Sequence, residues 1–474
     1  MTARVAIVGG GVTGLAAAYA LRKAVPSRDR LAIMLLEAGP DLGGSLGTER
    51  ADGFLIERGA DSFLTTKPQG VALAREVGLG DQLLGMARRG VYGVRRGVLQ
   101  PFPEGLMMMA TPRLGPLART RLLSARGKLR AAMDLVLPAR KDAGDESLAS
   151  FVRRRLGREV LDRLAEPMVA SIHAGDAERL SVNSLLPQFV AHERDHGSVI
   201  RGLRKSAPAP RPTDPSLPRP FATFRGGMGS LAGALVERTP AVEHRLQTVA
   251  TRLETTADDT FQIIDRGGGA LAADAVLLTP PAFASADLLE GVAPALASAL
   301  RAVPYASSAV GSLAFPEDAC RRLDGTGFLV PRSEGLHLKA CTWASAKFEG
   351  RAPPGHVLLR AFYGGTGEAA VLDRSDEDLV ALALEELRPL MQIRGPAELT
   401  RVHRWPRAHP QYEVGHKARV AAIEAANAAV PGVFLAGSAY RGIGIPDCIE
   451  DAARAVERTL QLLQPQAVVA GALA

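Results

Sequence analysis

Three glycines at positions 9, 11 and 14, in the run "VAIVGGGVTGLAAAYAL", are spaced G-x-G-x-x-G. Between a strand and a helix that spacing has a defined use. Gly9 permits a tight turn, Gly11 lets the main chain approach a pyrophosphate, and Gly14 lets the helix lie close on the strand. Amides at the helix start then face the phosphate charge. Glu37 follows Gly14 by 23 residues, where an acid can hold a ribose hydroxyl pair. A second glycine-rich turn, "GSAYRGIGIPDC" at 437–448, aims another helix start at something anionic or electron-rich. Two distant glycine loops closing on one ligand suit FAD better than NAD.

Other residues bear on the chemistry singly. His173 stands in "SIHAGDAERLS" with Asp176 close behind, as a catalytic base would. His403, His409 and His416 are not at metal-ligand spacing, and no metal site is expected. Cys320, Cys341 and Cys448 lie far apart, match no zinc pattern and suit a reducing, cytoplasmic setting.

These groups need elements to position them. Residues 4–8 and 31–36 read as buried strands around a helix from 14 to 24, a βαβ start. Residues 65–85 and 117–165 read mostly helical. "HRLQTVATRLE", "FQIIDRG" and "AVLLTPP" read as strands, as do "SSAVGSLAF" and "HVLLRAFYGG" further on. Residues 375–391 form an amphipathic helix with acids in its first turn. Residues 206–220 carry six prolines and read as a surface loop.

A chain of 474 residues, 47% hydrophobic and 23% charged, can bury a large core across two or three domains. The net charge of +7 is concentrated locally. Between Gly105 and Lys141 eight Lys/Arg face one acid, Asp134, with Leu and Met interleaved. That suits a solvated helical face, an anionic lipid surface or a guide for a polycarboxylate. With few aromatics among the cations, nucleic acid is excluded as a partner.

"EAGPDLGG" at 37–44 resembles the extended dinucleotide motif of FAD-binding amine oxidases, although Ser45 replaces the frequent arginine. More particular runs are "GFLIERGADSFL", "RRLGREVLDRLAEPMVASIHAGDAERLSV", "LLPQFVAHERDHGSVIRG", "VHRWPRAHPQYEVGH" and "GSAYRGIGIPDCI". Over nearly the full length the chain resembles the protoporphyrinogen and coproporphyrinogen III oxidase family, within the flavin amine oxidase superfamily.

The resemblance implies an α/β fold. A Rossmann-like FAD domain (1–88, 221–292 and 425–474) accompanies a mixed-sheet substrate domain (89–99 and 293–424). A helical domain (100–205) is of a kind often tied to membranes. Non-covalent FAD would then touch Gly9, Gly10, Gly11, Val12, Thr13, Gly14, Glu37, Ala38, Gly44, Gly59, Ala60, Asp61, Ser62, Val249, Trp405, Ile443, Gly444 and Ile445. Cys448 would not carry the flavin.

The implied reaction takes six electrons from a porphyrinogen in three two-electron steps, each passing a hydride to the flavin and a pyrrole proton elsewhere. Dioxygen is the acceptor and hydrogen peroxide a product. Asp61 stands where relatives carry Asn, so it serves a pyrrole N–H or repels propionates. Backbone carbonyls around Ser171 and Ile172 would face the pyrrole N–H groups, leaving His173 to pack. Val91 replaces a propionate-binding arginine, and Arg89 and Arg95 are the substitutes, with Arg88 and Arg96 near. Both porphyrinogens stay open, as do monomer and homodimer, and peripheral contact with the inner membrane face. The alternatives are an amine oxidase, a carotenoid desaturase or a porphyrin-binding flavoprotein without turnover.

Overall fold

The computed structural model describes residues 2–142, 144–206, 220–321 and 323–471, the last eight by backbone alone. Most of the proline-rich 206–220 segment lies outside the described residues.

The apolar runs expected as strands form a five-stranded parallel sheet. Its order is Glu243–Arg245, Leu31–Leu36, Ala3–Val8, Ala275–Leu278 and Val433–Leu435. Strands buried on both faces need no alternation, which is why "VAIV" and "AVLL" read as continuous apolar stretches. One face packs the helices Val12–Ala24, Gly229–Glu237 and Ile445–Gly471 through Leu15, Leu21, Leu231, Ile449 and Ala452. The other face carries Ala282–Leu289, Pro294–Arg301 and His416–Ala428, with Leu296, Leu300, Val420 and Ile423 in its core. A three-stranded antiparallel sheet, built from Ala250–Thr255, Phe261–Asp265 and Ala270–Ala273, also lies there. Pro294–Arg301 and His416–Ala428 thus share one core with the parallel sheet.

A seven-stranded sheet runs Leu399–Pro410, Tyr305–Pro316, His356–Gly364, Ala340–Trp343, Gly327–Leu329, Tyr92–Arg95 and Val98–Pro101. It is mixed, because Gly327–Leu329 meets Tyr92–Arg95 in parallel. Along His356–Gly364, Val357, Leu359, Ala361 and Tyr363 enter a core shared with the helix Asp376–Met391. The period of two sends Leu358, Arg360 and Phe362 to the opposite face.

Between Leu114 and Lys205 a set of short helices packs around Phe151, Leu161, Leu164 and Phe189. Their polar centre is the ion pair of Arg155 with Asp134, both fully buried, with Glu193 3.5 Å from the same guanidinium. Asp134 also accepts from the Ser198 hydroxyl at 2.6 Å and the Ile200 amide at 2.9 Å. Arg155 also donates to the carbonyls of Asp134, Pro138 and Gly197. Among the described residues no helix is long and apolar enough to cross a membrane.

Candidate functional site

The glycine motif sits where the spacing requires, between Ala3–Val8 and Val12–Ala24. A Cβ on Gly14 would fall 1.9 Å from the Gly9 carbonyl, so helix and strand touch only with glycine there. Gly9 turns through φ +101°, and its amide donates to Leu36 O at 2.8 Å. Gly11, by contrast, has nothing within 4 Å of where its Cβ would lie. That open side of a helix N-terminus is the cradle a pyrophosphate needs.

The cradle's walls are local. Glu37 accepts the Gly10 amide on Oε2 and the Gly39 amide on Oε1, each at 2.7 Å, so its carboxylate is fixed at the strand end. Ala38 lies between these contacts in the chain. The Gly43 amide donates to Gly10 O at 2.8 Å, bringing Gly44 beside Gly11. Thr248 donates to Glu37 O, which seats Val249 at the same edge. Thr13 and Cys448 meet across the cradle, and burial pushes the Cys448 thiol up to about 12. A thiol held neutral is a poor nucleophile toward a flavin, in keeping with non-covalent binding.

The stretch Gly59–Ser62 continues the wall. The Ala60 amide donates to Ser45 O at 3.0 Å. Trp405 Nε1 donates to Arg58 O at 3.0 Å, and a Cβ on Gly59 would come 2.9 Å from the indole. Asp61 is gripped by Lys347 Nζ at 3.0 and 2.9 Å and approached by Arg360 at 3.5 Å. The Ser62 hydroxyl donates to Asp61 at 2.6 Å. Burial alone would raise this carboxyl, but Lys347 and Arg360 outweigh burial and hold it well below the usual carboxylate range. Asp61 is therefore a weak base.

On the far side the turn Ile443–Gly444–Ile445 opens the C-terminal helix. The Gly444 amide donates to Asp447, which also pairs with Lys67. Gly437 and Arg441 are tied to Asp451. Tyr412 stacks on His416 at 3.8 Å and donates to Ser438 O, while His416 meets Tyr440 O at 3.0 Å.

The helix Glu166–His173 ends at Ala174, a non-glycine residue at φ +51°. Gln411 donates to the carbonyls of His173 at 2.9 Å and His409 at 3.0 Å, and Thr366 donates to Ala174 O. The carbonyls of Ser171 and Ile172 accept from no described residue, while the Ile172 side chain is 44% exposed. Burial, reinforced by His409, lowers His173 to about 4, and burial lowers His409 to about 4. Both imidazoles are neutral at pH 7.

Arg95 lies elsewhere, on the hairpin of Tyr92–Arg95 and Val98–Pro101, with its guanidinium donating to Arg121 O. It lines an open basic cavity of about 530 Å³ with Arg96, Arg119, Arg121 and Lys128. Arg89 is exposed. No hydrogen bond or ion pair joins either arginine to Asp61, Trp405 or Ser171 among the described residues. Sequence reasoning singled out neither Lys347, Arg360 nor Gln411.

Known proteins match this chain over nearly its whole length. The chain is 38% identical to coproporphyrinogen III oxidase of Bacillus subtilis (strain 168), covering 97% of this chain and 98% of that one. It is 32% identical to protoporphyrinogen oxidase 1, chloroplastic, of Spinacia oleracea, covering 96% and 84%. A crystal structure from Exiguobacterium sp. 255-15, provisionally described as a protoporphyrinogen oxidase, superposes with a TM-score of 0.85 at 33% identity, covering 96% and 98%. The family model for flavin containing amine oxidoreductase matches residues 12–460. The chain belongs to that family, and its cofactor is FAD.

Proposed function

We propose that the protein is an FAD-dependent porphyrinogen oxidase of haem biosynthesis, removing six electrons from a porphyrinogen with dioxygen as acceptor. We put coproporphyrinogen III ahead of protoporphyrinogen IX. Three relatives at 38, 35 and 33% identity over nearly the whole chain bear the name coproporphyrinogen III oxidase, and four propionates suit a cation-rich chain better than two.

The observation that carries the reading is the helix end at Ser171–Ile172. Two carbonyls with no donor among the described residues, beside an exposed apolar side chain, fit a flexible macrocycle whose inner rim is pyrrole N–H. FAD, when bound, supplies the two-electron acceptor. The protein's part is positional: the helix end holds the macrocycle through its N–H groups, and Gln411 fixes that helix end. Neutral His173 and ion-paired Asp61 make proton release to solvent more consistent with the site than transfer to a strong base.

The amine oxidase alternative needs an aromatic facing the flavin. Tyr440, in the C-terminal glycine-rich turn, is 4% exposed and packs in the core on the far face of the parallel sheet.

The test is turnover. Yellow purified protein should convert colourless coproporphyrinogen III to a fluorescent porphyrin with oxygen uptake, at a higher kcat/KM than for protoporphyrinogen IX. Amine turnover without porphyrin fluorescence would sink the reading.

A further inference from the structure

The Asp61 carboxylate and its cations come from three separate places: the 59–62 stretch, the short helix Ala344–Lys347 and the strand His356–Gly364. They meet on the face of the mixed sheet turned away from its main core. Lys347 is 13% exposed, Asp61 18% and Arg360 2%. The Lys347 ammonium also lies 5.3 Å and 5.2 Å from the ring centres of Phe221 and Phe348. Arg360 donates to Glu57 O and Gly59 O, so it holds the stretch while facing Asp61.

The charges do not cancel. Asp61 contributes −1 against Lys347 and Arg360 at +1 each, leaving +1. The neighbouring pair of Arg351 and Glu57, 3.7 Å apart, adds one of each sign. Arg58 is turned toward Asp41 at the surface. This net cation lies along the wall that runs from Gly44 through Gly59 to the turn at Gly444, by way of the Lys67–Asp447 pair. Fixed charge in a partly dry site acts more strongly than charge in water.

We propose that Lys347 and Asp61 form an opposed pair that sets the redox potential of the bound FAD, Lys347 favouring the anionic reduced form and Asp61 limiting that effect. The proposal rests on FAD lying in the cradle described above. It does not depend on which substrate is oxidised. Lys347 would act by its field alone, with no bond made or broken.

The experiment is anaerobic reductive titration of the holoenzyme against a reference dye, without porphyrinogen. K347Q should lower the two-electron equilibrium constant for reduction at least tenfold, about 30 mV. D61N should raise it, and D61N/K347Q should return to within threefold of wild type. K347R, which keeps the charge, should also stay within threefold. A role confined to shaping the loop would move both single variants the same way or neither, and either result overturns the proposal. If K347Q does not fold, D61N against the double variant carries the same test of sign. Opposite shifts in an enzyme that makes no fluorescent porphyrin would keep this proposal and reject the substrate.

Discussion

The side-chain amide of Gln411 joins two main-chain carbonyls, His173 O at 2.9 Å and His409 O at 3.0 Å, and so clamps the helix end to the mixed sheet. Gln411 is 3% exposed, so no water replaces it readily. Gln411→Met leaves both carbonyls without that donor, at a cost of about 1–3 kcal/mol. Thermal melting should show the loss, and porphyrinogen turnover should fall while the flavin absorbance stays. Unchanged turnover would remove Gln411 from the support of the helix end.

Gly14→Ala tests the cradle. The added methyl must displace the Gly9 carbonyl, which no rotamer avoids. The expected product is a folded but colourless protein, read from the flavin absorbance per mole of chain. Full yellow colour after purification would place the cofactor elsewhere.

The two neutral histidines give a signed pH dependence. His173 and His409 titrate near 4 in the folded chain against an ordinary value of 6.5. Between those values the unfolded chain binds the protons first, so stability is complete above about pH 6.5 and is lost as pH falls toward 4. Each histidine contributes a slope of up to about 1.4 kcal/mol per pH unit. His173→Phe should flatten the loss between pH 7.5 and pH 5, measured by urea unfolding. At pH 7.5 its turnover should stay within about tenfold of wild type; a larger fall with FAD bound would make His173 a proton carrier.

The buried Arg155–Asp134 pair predicts an asymmetric cost. Asp134→Ala leaves the guanidinium with backbone carbonyls and the more distant Glu193 carboxylate at 3.5 Å, and should destabilise by about 3–5 kcal/mol. Asp134→Leu combined with Arg155→Met should cost less than the single change. Denaturant midpoints decide, and equal losses would show that the charges themselves matter little.

What the sequence made legible was local. The glycine spacing, Glu37 and the strands around them report on one another within about forty residues, and the parallel strands betray themselves by unbroken apolar runs. The partner of Asp61 stands 286 residues away in "ASAKFEG", where one lysine has no periodic signal. Gln411 lies 238 residues from His173 and gave as little notice. Arg360 was discoverable: a cation in the otherwise apolar run "HVLLRAFYGG" stands on the strand phase opposite Leu359 and Ala361. The expected helix over 65–85 shortens to Pro68–Glu76, because Gly78 and Gly80 follow and Leu83–Gly85 pairs with Phe221–Phe224.

The parallel sheet that carries the cradle takes its strands from residue 3 and from residue 435. At roughly 5–20 residues per second, a ribosome needs about 20–90 s to deliver both ends. Over roughly the last third of that interval, once it has itself been made, the strand Ala275–Leu278 waits with one edge open, a template for pairing with another nascent chain. Biogenesis of this flavoprotein is thus exposed to aggregation until its last strand arrives, and early shielding by chaperones should raise its yield more than added flavin would.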